Sequence, residues 1–344
     1  MFPSSLLPAA RADGPARAAS ACPATRTGAA AARLAAALAF IVAACGGGTS
    51  QFEPFIAQRL FAFGDEASAL TADAPTGRNY GINGINSNAT TDTTADDYFD
   101  CTLQPNWTQS LAAYYGFVFA ECNPTNITEP KARNWAAPGV RVAEVAQQVD
   151  AQVAAGGFRD KDVATVMVGV NDVVELYRQY DGSNEAALLA QAGERGNQAG
   201  RIVNRLIALG TKVVLTNIPD LGLSPLARNE NVLNPGSDRG ALLSRLSATF
   251  NERLGVTILL DGRFVAYVQT DQRVLAISRL PTNFAITNVT DAACTTPPPS
   301  CTNITLVTGA VASTYLWASD RWLSARGQTE IASLAITRAQ RNPF

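Results

Sequence analysis

No histidine occurs among the 344 residues. Imidazole, with an ordinary pKa of ~6.5, is the side chain best suited to shuttling protons near neutral pH. Its absence excludes a Ser-His or Cys-His couple and any imidazole-ligated metal. Charge is also scarce: 16% of residues are charged, the net value is −2 and no basic block occurs, so nucleic-acid binding has no support. The six cysteines show no Cys-x-x-Cys spacing, which argues against a thiolate metal site. No internal repeat is visible. The apolar run Leu34–Ala44 is too short to span a bilayer as a helix.

That run nevertheless has a reading of its own. Arg26 and Arg33 precede it, as in the charged and apolar regions of a signal peptide. It ends in Val42-Ala43-Ala44-Cys45, which resembles a bacterial lipobox and implies cleavage before Cys45 with a lipid on its thiol. The competing reading is an ordinary secretory signal. Gly46 rather than aspartate follows the cysteine, and by the same resemblance this implies sorting to the outer membrane. Residues 1–45 are therefore expected to be leader and signal, 46–57 a tether opening with Gly46-Gly47-Gly48-Thr49-Ser50, and 58–344 the folded domain.

Cys22 and Cys45 fall in the leader and anchor, leaving Cys101, Cys122, Cys294 and Cys301. An even remainder in an exported chain favours disulfides. Of the three connectivities, Cys101–Cys122 with Cys294–Cys301 is expected, because each pair brackets one Thr/Asn/Pro-rich segment. Those segments, near 79–126 and 271–314, read as insertions. They are expected to be solvated loops, with a lid or partner surface as the alternative.

A composition of 47% hydrophobic residues supports a sizeable core. Apolar runs at Arg59–Phe63, Val163–Val168, Lys212–Thr216 and Thr257–Leu260 read as strands. Helical stretches are expected at Trp107–Tyr115, Val142–Ala155, Glu185–Leu209, Ala241–Leu254 and Ser324–Gln340. The alternation predicts an α/β fold: a three-layer α/β/α sandwich around a central parallel sheet. Ligands of such sheets bind beyond the carboxyl ends of the strands.

Glu66, Gly139 and Asn171, in three of four short segments, follow predicted strands or turns at that edge. The four segments are Phe61-Ala62-Phe63-Gly64-Asp65-Glu66-Ala67-Ser68, Asn134-Trp135-Ala136-Ala137-Pro138-Gly139, Gly169-Val170-Asn171-Asp172, and Ser319-Asp320-Arg321-Trp322-Leu323-Ser324-Ala325-Arg326-Gly327-Gln328. Each alone is a weak signal; in this order the set resembles the blocks of the GDSL, or SGNH, hydrolases. Val213–Gly222 and Phe250-Asn251-Glu252-Arg253-Leu254 extend the likeness. The resemblance implies a flavodoxin-like fold and ester hydrolysis. It places Glu66 where the family has its nucleophilic serine, Gly139 and Asn171 as oxyanion-hole donors, and Asp320 as the acid of a D-x-x-H block whose histidine is missing near Leu323.

Ester hydrolysis of this kind needs a nucleophile, a base and oxyanion donors. Only the donors remain. Ser68 matches the block's second serine and is read as a loop or capping residue rather than a replacement nucleophile. A Glu66 carboxylate beside Gly139 and Asn171 would occupy the hole itself, giving a self-plugged site.

The leading expectation is therefore a binding or scaffolding envelope lipoprotein without standard esterase activity. Its implied ligand is an acyl ester or acetylated glycan, its membrane contact is the N-terminal lipid, and the sequence names no protein partner. One alternative is an active esterase or lipase using Glu66 and Asp320 as paired carboxylates. The other is an interaction protein working through its inserted loops. Asp65, Glu66, Asp172 and Asp320 offer oxygen ligands of the kind hard cations take, but no metal and no cofactor are expected. Trp107, Trp135, Trp317 and Trp322 are candidates for a sugar or acyl pocket, with Trp107 assigned to the core.

Overall fold

Three runs of apolar residues are buried on both faces, as strands in the middle of a parallel sheet must be. They are β1 (Arg59–Gly64), β5 (Asp162–Met167) and β6 (Lys212–Thr216). In the computed structural model, which describes residues 55–87 and 97–341, they form the centre of a five-stranded sheet. The edges are β4 (Ala132–Asn134) beside β1 and β7 (Val265–Val268) beside β6. The order β4-β1-β5-β6-β7 is wholly parallel, with Leu60 opposite both Ala132 and Val163. The expected leader, Cys45 and the tether through residue 54 lie outside the described residues.

Helices cover both faces of the sheet. Numbered along the chain, they are α1 (Trp107–Tyr114), α2 (Val142–Ala154), α3 (Val170–Arg178), α4 (Glu185–Ala208), α5 (Pro225–Leu233), α6 (Arg239–Thr257), α7 (Thr270–Arg279) and α8 (Ala325–Arg341). On one side α2, α3, α4 and α6 pack together; on the other α1, α7 and α8 do. The expected three-layer α/β/α sandwich with flavodoxin-like strand order is thus the fold. None of the described helices is long and apolar enough to cross a membrane.

One expected strand is absent. Thr257–Leu260 is the end of α6 and the loop after it, and the fifth strand is Val265–Val268. The run looked like a core strand because it is apolar, yet Leu259 and Leu260 are 62% and 65% exposed. The expected 271–314 insertion opens inside α7, which packs on α8 as part of the layer.

The inserted segments make additional structure of their own. β2 (Gly84–Ser87) pairs antiparallel with β3 (Asp97–Asp100), and β8 (Asn288–Ala292) lies beside β9 (Tyr315–Trp317). Disulfides join Cys101 to Cys122 and Cys294 to Cys301, as expected. The two segments also meet: Asn83 Nδ2 donates to the carbonyls of Pro299 and Cys301, and Ile85 N–H donates to Asn303 Oδ1. A small apolar cluster of Ile82, Ala293, Cys301, Ala312, Ala318 and Ala325 lies under this junction.

Candidate functional site

The site begins where β1 and β5 end together. Gly64 has φ +131°, and a Cβ there would lie 1.8 Å from the Met167 carbonyl oxygen, so only glycine lets the two strand ends approach this closely. Gln148 of α2 fixes the bend from the other side, accepting from Gly64 N–H at 2.8 Å and donating to its carbonyl at 3.0 Å. The chain then turns on Asp65, whose carboxylate accepts from Ala67 N–H at 3.0 Å and whose carbonyl accepts from Ser68 and Ala69. This tight turn carries Glu66 to the carboxyl edge of the sheet.

Two donors meet Glu66 there. Gly139 N–H donates to Oε1 at 2.9 Å, and Asn171 Nδ2 donates to Oε2 at 2.7 Å. Gly139 has φ +75°, a backbone state that glycine adopts without strain. Asn171 also donates to the Val140 carbonyl at 3.0 Å, and Asp172 accepts from Val142 N–H at 3.0 Å. Neighbouring residues at the start of α3 thus hold the Gly139 loop in place, and Asp172 satisfies an amide at the start of α2 that no turn of helix could.

Burial shapes the charges around this pair. It pushes the Asp65 carboxyl well above the usual carboxylate range, and the adjacent Glu66 charge pushes in the same direction. Asp65 Oδ2 has no hydrogen-bond partner among the described residues. Asp172 is pushed up to about 6 by burial, which outweighs the Val142 amide and the Arg195 guanidinium 3.4 Å away. Tyr80, half-buried, is raised by burial and then by the Glu66 charge, which places its phenol in the same electrostatic neighbourhood.

Asp320 is not joined to this cluster by any hydrogen bond or ion pair among the described residues. Its carboxylate is taken by Arg321, with Nη2 at 3.1 Å from Oδ2, and by the Ser319 hydroxyl. Ala318 N–H donates to the Trp322 carbonyl at 2.8 Å, and Ser324 N–H to that of Leu316, so residues 318–322 close a tight turn. Leu323, near which the resemblance would place a histidine, is buried. Arg321, Trp322 and Leu323 face Ala67, Met167 and Val170 across a cavity of ≈ 10 Å³, about enough for one water.

The profile of the GDSL-like lipase/acylhydrolase family matches residues 60–275. This chain belongs to that family. Among solved structures, this GDSL chain is similar to an acetylxylan esterase from Geobacillus stearothermophilus, with 13% identity over 83% of this chain and 96% of that one and a TM-score of 0.41. It is similar also to a lipase from a goat rumen metagenome, with 13% identity, 83% and 99% coverage and a TM-score of 0.46. A lipolytic G-D-S-L family protein from Veillonella parvula gives 9% identity, 81% and 96% coverage and 0.39. Among curated proteins, no sequence matches it.

Other residues of this GDSL chain fall where the sequence reading put them or depart from it. Ser68 is fully buried, its hydroxyl accepting from Trp107 Nε1 at 3.2 Å and its carbonyl from Asn134 Nδ2 at 2.7 Å, so it braces the loop. Trp107 and Trp317 are wholly buried, and Trp135 is tied to Gln152 under Arg133; Trp107 and Trp322 both line the small cavity. Among the described residues no three acidic or thiol groups gather as a metal site. The sequence reading missed Gln148. Its signal was there: with Val142, Val145, Val149 and Gln152 it lies on the buried face of α2, where an amide must find a partner.

Proposed function

We propose that this chain is a GDSL-family envelope lipoprotein that does not perform standard ester hydrolysis and acts by binding or scaffolding. The observation that carries this reading is the pair of hydrogen bonds from Gly139 and Asn171 to the two oxygens of Glu66. In acyl-transfer enzymes generally an oxyanion donor is worth ~3 kcal/mol because it meets charge that develops only in the transition state. Here both donors already hold a carboxylate. A tetrahedral oxyanion would have to displace it and form beside its charge, with no histidine to serve as base. The closed turn at 318–322 and the ≈ 10 Å³ cavity beside it support the same conclusion, leaving no room for an acyl chain at that point. The lipidated Cys45 would hold the domain at the outer membrane, and the ligand class the family implies is an acyl ester or acetylated glycan.

The test is hydrolysis of short- and long-chain acyl esters and acetylated sugars by the parent beside Glu66→Ser and Glu66→Gln. The parent and both variants are expected to be silent, since restoring a serine does not restore its base. Turnover by the parent that disappears in Glu66→Gln would establish a carboxylate mechanism and overturn the proposal.

A further inference from the structure

The sheet has a second edge, opposite the site, where the strands begin. Loops entering parallel strands all lie at that edge, and here they carry large apolar side chains outward. Ile56 precedes β1, Leu209 precedes β6, and Val256, Leu259, Leu260 and Phe264 lie between the last turn of α6 and β7. Ile56, Val256, Leu259 and Leu260 are each more than 60% exposed, and Leu209 and Phe264 more than a third. Exposed apolar residues scattered singly need no explanation, whereas a contiguous group marks a surface that meets something.

These side chains are presented by a rigid frame. Asn204 of α4 donates to the Thr257 carbonyl at 2.9 Å and accepts from Leu259 N–H at 2.8 Å, and Thr257 Oγ1 donates to Asn197. Asp261 accepts at its carbonyl from both Phe264 and Val265 N–H. The loop is therefore clipped to α4 and to the start of β7, with its leucines pointing away from the core. The rim carries charged and aromatic side chains: the Lys212 ammonium lies 4.7 Å from the Phe264 ring and 5.8 Å from that of Phe55, and Arg263 is paired with Asp261. Long cationic side chains beside aromatic rings suit a boundary that is apolar below and wet above.

The course of the chain identifies the occupant. It enters the domain at this edge, through Phe55 and Ile56 into β1. Only nine residues lie between Cys45 and Phe55, and the ten steps from one to the other span at most ~35 Å even fully extended. A domain of this size is ~50 Å across, so a chain anchored at Cys45 has its entry edge, not its site edge, within reach of the bilayer. We infer that the apolar surface formed by Ile56, Leu209, Val256, Leu259, Leu260 and Phe264 docks on the lipid bilayer, turning the Glu66 edge away from the membrane. This rests on the membrane-anchored part of the function proposed above but needs no lipid on Cys45 to be measured.

The experiment uses the full chain bearing Cys45→Ala, so that any lipid contact comes from the protein, and phosphatidylcholine vesicles with brominated acyl chains. Leu260→Trp should add fluorescence that the vesicles quench, whereas the buried Trp107 and Trp317 stay unquenched. Leu259→Ser with Leu260→Ser should lower co-flotation with the same vesicles about tenfold or more, with the thermal midpoint kept, because both side chains are exposed. Unquenched Leu260→Trp fluorescence overturns the proposal. So does emission that shifts on concentrating the protein without vesicles, which would assign the surface to a second copy. Emission already shifted at low concentration and unresponsive to lipid would assign it to the chain's own 34–44 run and overturns it equally. Mass analysis of the unsubstituted chain separates the two readings: an unmodified Cys45 with intact quenching removes the anchor and leaves the surface, and a lipidated Cys45 without quenching does the reverse.

Discussion

At the scale of single residues, Glu66 acts through having two oxygens for two donors. Each accepts one hydrogen bond, from Gly139 and from Asn171, so the carboxylate matches the hole's geometry with no polar atom misdirected. Glu66→Gln keeps the size but has one oxygen, and its NH₂ must then face a donor. Because the group is only half-buried, the expected loss is about 1–2 kcal/mol of stability, the lower part of the range for charge-assisted hydrogen bonds. Glu66→Ala should lose less, about 1 kcal/mol, since water can reach the vacated donors. Chemical unfolding of the three proteins decides this. A Gln variant as stable as the parent, with Ala the less stable, would show that size and not the paired oxygens matters here.

At the scale of elements, the Asn171-Asp172 pair fastens the start of α3 to the start of α2, and Asp172 does so at an electrostatic cost. Its folded-state pKa of about 6 lies above the ~3.9 of an unfolded aspartate. Between those values the folded state binds the extra proton, so stability falls as pH rises through that window. The full difference is about 3 kcal/mol, an upper bound. Asp172→Asn keeps an acceptor for Val142 N–H and removes the titration. Its unfolding free energy should therefore fall less steeply than the parent's between pH 4 and about 6; parallel curves would mean that Asp172 does not carry the proton. Such elements were unevenly legible from sequence. β1, β5 and β6 were read within a residue because they are buried on both faces, and Glu66, Gly139 and Asn171 were placed by the resemblance of their segments to the blocks of the GDSL family. β4 has three residues and β7 four, too short for periodicity to rise above the flanking loops. Ile258-Leu259-Leu260 outscored β7 as an apolar run because burial, not composition, separates a strand from an exposed surface. Gln148 shows its burial on the apolar face of α2, but its partner Gly64 lies 84 residues away, which no local pattern records.

At the scale of the whole molecule, the inserted segments are bound to one another as well as to the sheet. Asn83 is the joint: its side chain reaches Pro299 and Cys301 across more than two hundred residues, while its Oδ1 accepts from Asn79 N–H at 2.9 Å. The disulfides act at either side of this joint but constrain the unfolded chain unequally. Cys101–Cys122 closes a loop of separation 21 and Cys294–Cys301 one of separation 7, which in the loop-entropy account are worth about 3.4 and 2.5 kcal/mol. If chain entropy were all, Cys101→Ser with Cys122→Ser would be the costlier double substitution. The shorter loop, however, also holds the Pro299 and Cys301 carbonyls against Asn83. Replacing Cys294 and Cys301 by serine should therefore cost at least as much as replacing the other pair, and should speed amide exchange at Asn83 and Ile85, whose N–H groups donate to Cys301 and Asn303. Unfolding midpoints and hydrogen exchange of the two double variants test this together. A smaller loss for the 294–301 pair, with exchange at Asn83 unchanged, would mean the two insertions are held separately by the sheet and that their meeting contributes nothing.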